Sequence, residues 1–370
     1  MIQQVYIRPI AFVSGPQAEH GNAVRLAGTM VYASRFAVVL RRDGEVAERW
    51  LAAPDGMAEV LGQLPDAVGA EAEAQWANLA LAHPPLELGA RTVRLDQPQV
   101  MGILNVTPDS FSDGGAHAGP EAARAHAAVM VEAGAAIVDV GGESTRPGAK
   151  PLWEGDEIER VVPAIEACVG MGAAVSIDTR KAAVMEAALA AGAHLVNDVS
   201  GLAHDPRSAE VVAAAGCPVV LMHAPGAAGE DLHEGGTYDN VVFEVFDALR
   251  ARRDAALAAG IAARNILLDP GIGFGKSLGE NLSLVNALPL FHALGHPLLL
   301  GASRKRMIGA LSNEAEADAR LGGSLALACR FMDAGVQMLR VHDVAETVQA
   351  RNVWRGLRDA ALTDFGDLPG

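Results

Sequence analysis

The chain has 370 residues, half of them hydrophobic, and a formal net charge of −16. This is the composition of a folded protein, and its acidity argues against nonspecific binding to nucleic acid or an anionic membrane. Cys168, Cys217 and Cys329 are scattered without a CxxC pair, which disfavours a disulfide framework or zinc cluster and fits a reducing cytoplasm.

No apolar run is long enough to span a bilayer. The opening MIQQVYIRPIAFVSG lacks the basic-then-apolar layout of a signal peptide. Strand-like runs follow at 5–13, 23–34 and 36–44, then a helical segment near 56–64 and an Ala-rich stretch over 66–82. HPP at 83–85 breaks the chain and LDQP at 95–98 reads as a linker. Residues 1–98 are therefore expected to form a small α/β domain, and they carry no catalytic motif.

From Val100 the pattern changes. Short apolar strands alternate with Ala-rich amphipathic helices. The strands read VMGIL (100–104), AIVDV (136–140), AAVSID (173–178), HLVND (194–198), PVVLM (218–222), NILLD (265–269), PLLLG (297–301) and MLRVH (338–342). Helices are expected over 120–135 and 181–193, with Gly134 and Gly192 as C-caps. Near-continuous apolar strands imply a parallel sheet covered by helices. Eight such units over 99–370 match a (β/α)8 TIM barrel, which takes about 250 residues. No GxGxxG turn follows the first strand, which weakens a dinucleotide-binding alternative.

In such a barrel the active site lies at the C-terminal ends of the strands. Here the strands end in order at Asn105, Asp139, Asp178, Asn197–Asp198, Met222–His223, Asp269, the GASRK segment 301–305, and Arg340–His342–Asp343. A single carboxylate there often caps the next helix, so Asp198 and Asp343 taken alone have a structural reading. Eight polar strand ends at one rim point to a site. Two long polar βα loops flank it, 106–119 after the first strand, within and beyond the stretch GILNVTPDSFSDGG (102–115), and GGESTRPGA (141–149) after the second. Loops of this kind fold over ligands and exclude water.

These segments, with VSIDTRK (175–181), LVNDVSG (195–201), LMH (221–223), DPGIGFGK (269–276), GASRKRMIG (301–309) and RVHDV (340–344), resemble the dihydropteroate synthase family in identity and order. The resemblance implies a pterin-binding TIM barrel over 99–370. It implies condensation of 7,8-dihydropterin-6-ylmethyl diphosphate with 4-aminobenzoate by an SN1-like route. By the family's pattern Asp178, Asn197, Asp269 and Lys305 meet the pterin edge, while Met222 and Phe274 pack on the ring. Asn105 matches the Mg2+ position. Thr145, Arg340 and His342 match diphosphate positions, and Ser303 and Arg304 belong to the SRK segment that faces substrate. Phe111, Asp113, Arg146 and Pro147 match the closing loops, with Asp113 and Arg146 able to pair. Asn105, Asp113, Arg146 and Lys305 carry the catalytic expectation. The implied partners are small molecules and a second copy of the chain, with no nucleic acid or membrane.

The chain departs from the family's pattern in places. It reads MHAPG at 222–226 where many members read MHMQG, and Arg306 stands where many have Ser. Residues 1–98 lie outside the resemblance. A pterin-binding methyltransferase acting on methyltetrahydrofolate is the alternative; the STRPG and SRK segments weigh against it.

Overall fold

The structure is a computed structural model, and it describes residues 2–15, 20–106, 118–144, 148, 151–226, 231–234 and 236–362. The first strands, β1 (Gln3–Val13), β2 (Val24–Arg25), β3 (Tyr32–Arg42) and β4 (Glu45–Ala52), form an antiparallel sheet in which β3 pairs with the other three. The 23–34 run is not one strand: β2 stops at Arg25 and a 3-10 turn with left-handed Ala27 intervenes before β3. β4 lay outside the sequence expectation. It folds back through Asp43 (φ 48°) and Gly44 (φ 91°), the positive pair that a two-residue hairpin turn demands.

Helices α1 (Met57–Gly62) and α2 (Asp66–Leu79) follow. The amide of Gln75 on α2 accepts from Ile7 N at 3.0 Å and donates to Val5 O at 2.8 Å. A side chain thus closes the free edge of β1, which would otherwise offer unpaired backbone groups.

The next elements are β5 (Leu86–Leu88) and β6 (Arg91–Val93), an antiparallel hairpin that lies between the break at 83–85 and the linker at 95–98 and that the sequence did not indicate. Leu86, Leu88, Val93 and Leu95 pack against Met101, Ile137, Ala174, Leu195, Val220, Leu267, Leu299 and Met338. The hairpin therefore seals the N-terminal end of the barrel with apolar side chains.

The barrel comprises β7 (Gln99–Asn105), α3 (Ala118–Glu132), β8 (Ile137–Gly141), α4 (Glu154–Gly170), β9 (Val175–Asp178), α5 (Ala182–Ala190), β10 (Leu195–Asp198), α6 (Ser208–Ala215) and β11 (Val219–Met222). It continues with α7 (Val241–Ala258), β12 (Ile266–Asp269), α8 (Leu278–Ala287), β13 (Leu299–Leu300), α9 (Arg306–Leu311), α10 (Leu321–Asp333), β14 (Met338–Val341) and α11 (Val344–Leu362). Eight parallel strands run in the order β12-β11-β10-β9-β8-β7-β14-β13, and a parallel bridge from Leu268 to Leu298 joins β12 to β13. The sheet is a closed TIM barrel. Gly134 and Gly192 end their helices with φ near 100°, as the sequence suggested.

The N-terminal sheet lies against the outside of the barrel. Tyr6 donates to Asp247 on α7 at 2.8 Å and its ring packs on Phe243 and Phe246. Asn78 donates to Ala293 O, and Arg358 on α11 donates to Met30 O. Among the described residues, no helix is long and apolar enough to cross a membrane.

Candidate active site

The strand register brings the polar strand ends together. Asn105 pairs with Gly141 and Gly141 with Asp178, so three neighbouring strands end at one level. A Cβ placed on Gly141 would lie 3.7 Å from both Asn105 Oδ1 and an Asp178 carboxylate oxygen. The missing side chain leaves these two groups a shared space.

Arg340 on β14 spans the barrel mouth. Its Nε donates to Asp139 Oδ2 and its Nη2 to Asp178 Oδ2, each at 2.6 Å. Asn197 on β10 donates from Nδ2 to the same Asp139 oxygen at 3.1 Å. Burial opposes the charge on Arg340, but Asp139 and Asp178 outweigh it and hold the guanidinium above its ordinary value. Burial likewise raises the Asp178 carboxyl, and Arg340 pulls it back. A carboxylate and a guanidinium at this distance in a closed setting favour their charged forms.

Asp269 ends β12 and accepts from Gly271 N at 2.7 Å. Burial raises its carboxyl against the pull of Lys305. Lys305 donates to Ile272 O and sits over the Phe274 ring, 4.4 Å from its centre. Burial pushes the Lys305 ammonium down to about 8, with Asp269 opposing that shift. Two glycines make this loop possible. A Cβ on Gly271 (φ 69°) would fall 1.9 Å from His223 O, and one on Gly273 (φ 86°) 2.8 Å from Lys305 Cδ. Lys276 secures the loop from behind by donating to Gly271 O at 2.8 Å and Phe274 O at 3.1 Å.

The apolar wall is also present. Met222 is buried with Val199, Ala224 and Leu232, and Phe274 packs against them. The departures at MHAPG fit here: Ala224 joins this cluster, while Pro225 lies 2.3 Å from where a Gly275 Cβ would stand. His233 stacks on Phe274 at 5.3 Å and 13°.

Ser303 Oγ accepts from His342 N at 3.2 Å and meets His342 Nδ1 at 3.1 Å. Arg304 pairs with Asp343 rather than turning toward the carboxylates of the mouth. Asp198 accepts from Ser200 N, Ser200 Oγ and Leu202 N, a structural role, although it holds a turn and does not cap the next helix, α6. Arg306 is exposed at the start of α9. Phe111, Asp113, Thr145, Arg146 and Pro147 lie outside the described residues, so the Asp113–Arg146 pairing has no geometry here.

The base of the second loop is tied down. Lys181 donates to Glu157 Oε2 at 2.7 Å, Leu152 O at 2.7 Å and Glu143 Oε2 at 3.1 Å. Asp139 is the residue that strand-end inspection named without assigning it to substrate. Its role needs contacts between β8, β10 and β14, which sequence spacing does not display.

A family profile described as "Pterin binding enzyme" matches residues 101–342. The dihydropteroate synthase of Escherichia coli K12 is 46% identical over 260 residues, covering 70% of this chain and 91% of the relative. That of Bacillus subtilis 168 is 43% identical over 268 residues, covering 72% and 90%. Among solved structures, Xanthomonas albilineans dihydropteroate synthase with 4-aminobenzoic acid superposes with TM-score 0.70 at 45% identity, covering 78% of this chain and all of that one. The same enzyme in complex with 7,8-dihydropteroate gives TM-score 0.67 at 43% identity, covering 77% and 100%. A barrel whose eight strand ends converge on one polar mouth, matched over nearly the whole length of these relatives, places the chain in the pterin-binding enzyme family, among the dihydropteroate synthases.

Proposed function

We propose that the barrel mouth joins 7,8-dihydropterin-6-ylmethyl diphosphate to 4-aminobenzoate, giving 7,8-dihydropteroate and pyrophosphate. The observation that carries this reading is the convergence of Asp178, Asn197, Asp269 and Lys305 beside Arg340, with Met222 and Phe274 as an apolar wall. A pterin edge offers adjacent N–H donors and ring acceptors. Carboxylates suit the donors, and a lysine suits the acceptors. Each polar group left unpaired in such a slot costs about 1–3 kcal/mol.

The reaction breaks the C–O bond and its electron pair leaves with the diphosphate. Positive charge then develops on the pterin methylene. The aniline nitrogen attacks that carbon, the C–N bond forms and the nitrogen loses a proton. The protein needs no nucleophile. It must hold the pterin, neutralise the leaving group and keep water from the cation. Asp178 and Asp269 accept from the ring donors and hold the pterin in place for departure of the diphosphate. Two of the five N–H groups of Arg340 serve Asp139 and Asp178, and the remainder suit diphosphate oxygens. His342, fixed by Ser303, suits the same end of the substrate, the end to which the family's pattern also assigns Thr145. By the family's pattern, Phe111, Asp113, Arg146 and Pro147, which lie outside the described residues, would serve the aminobenzoate.

Asn105 suits Mg2+. Among the described residues no group of three His, Cys, Asp or Glu forms a ready cation cage. A single amide oxygen at the mouth fits a cation that keeps its waters and takes phosphate oxygens. When bound, the ion would neutralise diphosphate charge. The same reading carries a cytoplasmic homodimer, which light scattering on the purified chain tests.

The experiment is product analysis with both substrates and Mg2+. Dihydropteroate and pyrophosphate in equal amounts are expected. Methyl transfer from methyltetrahydrofolate without pyrophosphate release would move the assignment to the methyltransferase alternative.

A further inference from the structure

We propose that Asp139 is a positioning residue that sets the orientation of both Arg340 and Asn197 for the pterin diphosphate. This role rests on the function proposed above. Its basis is geometric. Asp139 lies on β8 with a side chain that is 0% exposed. One of its oxygens, Oδ2, receives two hydrogen bonds, from Arg340 Nε at 2.6 Å and from Asn197 Nδ2 at 3.1 Å. The donors come from β14 and β10, on opposite sides of β8 in the sheet.

Each bond removes a degree of freedom that substrate binding would otherwise have to remove. An arginine held only at a terminal nitrogen can still pivot about that contact through its Cδ–Nε and aliphatic torsions. Arg340 is held at Nε by Asp139 and at Nη2 by Asp178, so two fixed points define the guanidinium plane. The unused N–H edge then has one direction for the diphosphate. For Asn197 the bond decides the amide's orientation. With Nδ2 committed to Asp139, Oδ1 is the end left to accept from a ring donor. The amide flipped the other way would set oxygen against the carboxylate, which repels it. Asp139 thus makes Asn197 an acceptor, the chemistry a pterin N–H requires.

Among the described residues, the other oxygen, Asp139 Oδ1, is buried and has no hydrogen-bond partner. A residue serving the fold alone would gain by satisfying both oxygens, because an unsatisfied buried acceptor is costly. Asp139 is instead concentrated on the two substrate-facing groups. An apolar residue of similar size would pack the barrel interior, but it would leave Arg340 and Asn197 unaligned.

The test uses Asp139→Asn and Asp139→Glu in the full chain, with melting temperatures measured alongside. Asp139→Asn weakens the acceptor, and Asp139→Glu keeps the charge but displaces it by one methylene. Both variants are expected to raise KM for the pterin diphosphate and Kd for inorganic pyrophosphate by about ten- to a hundredfold. KM for 4-aminobenzoate should stay within about twofold. In a double-mutant cycle with Arg340→Lys, the losses should be less than additive, because both substitutions remove one arrangement. Unchanged pterin and pyrophosphate constants would overturn the role. So would additive losses, or a parallel loss in every constant that tracks a fall in melting temperature. Should Asp139→Asn fail to fold, Asp139→Glu alone decides by the same constants. Wild-type protein that makes no dihydropteroate defeats the functional reading itself, an outcome distinct from any of these.

Discussion

At the residue scale the site is a contest between burial and charge. Asp178 and Asp269 are both raised by burial, and each is held in check by a cation, Arg340 for one and Lys305 for the other. Replacing Asp178 with Asn trades an acceptor pair for one acceptor and one donor and leaves Arg340 with one carboxylate fewer. Pterin affinity is expected to fall about ten- to a hundredfold, read by calorimetry; unchanged affinity would contradict the assigned role. Lys305 makes a pH prediction. Its ammonium is pushed down to about 8 chiefly by burial, so it is charged below that pH and neutral above it. Pterin binding should weaken as pH rises through about 8, and Lys305→Met should bind weakly at every pH without that alkaline limb. A limb that survives the substitution belongs to another group. Strand-end position put Asp178, Asn197, Asp269 and Lys305 on the rim, and the family resemblance singled them out for the pterin. Arg304 stood there too, yet it turns to Asp343. A one-dimensional spacing locates the rim but not the direction a side chain takes from it.

At the element scale, legibility followed burial. The eight barrel strands are covered on both faces, so each reads as an apolar run that chain position alone reveals. β4 was hidden because Glu45 to Arg49 are all exposed, leaving no hydrophobic alternation to detect. The Asp43–Gly44 turn was the one signal that announced it. The β5–β6 hairpin was hidden by its length, three residues a strand beside two prolines. Its energetic weight is larger than its size. Leu88 is 1% exposed in the layer that closes the barrel floor. Leu88→Ala is expected to cost about 2–5 kcal/mol in denaturant unfolding, the range for a core leucine with a residual cavity. A loss under about 0.5 kcal/mol would mean that the hairpin is a loose cover. The strand-six loop gives a second test. Gly271→Ala puts a Cβ against the His223 carbonyl at a left-handed position. It should cost at least about 1–2 kcal/mol and displace Asp269 and Lys305, measurable as weaker pterin binding.

At the scale of the whole molecule, the N-terminal sheet and the barrel behave as one packed body. Gln4, Tyr6 and Arg250 converge on Asp247, and Glu71 on α2 meets Arg250 at 3.3 Å. Phe246 links the Tyr6 ring to Phe291, so apolar contact runs from the extension into the barrel's outer layer. Hydrogen exchange should therefore show β1 and β3 amides opening with the barrel in a single global transition. Their exchange well before the barrel strands would mark the extension as a loose appendage. The sequence could delimit this region by its change of pattern but not dock it, because docking depends on pairs such as Tyr6 and Asp247 that are 241 residues apart. In the function proposed above, the barrel mouth is a single catalytic centre. The most direct measurement is incubation of the purified full chain with 7,8-dihydropterin-6-ylmethyl diphosphate, 4-aminobenzoate and Mg2+, following both products. Dihydropteroate and pyrophosphate are expected in equimolar amounts, both abolished by Lys305→Met. A well-folded wild-type chain that releases neither product would contradict the proposed function.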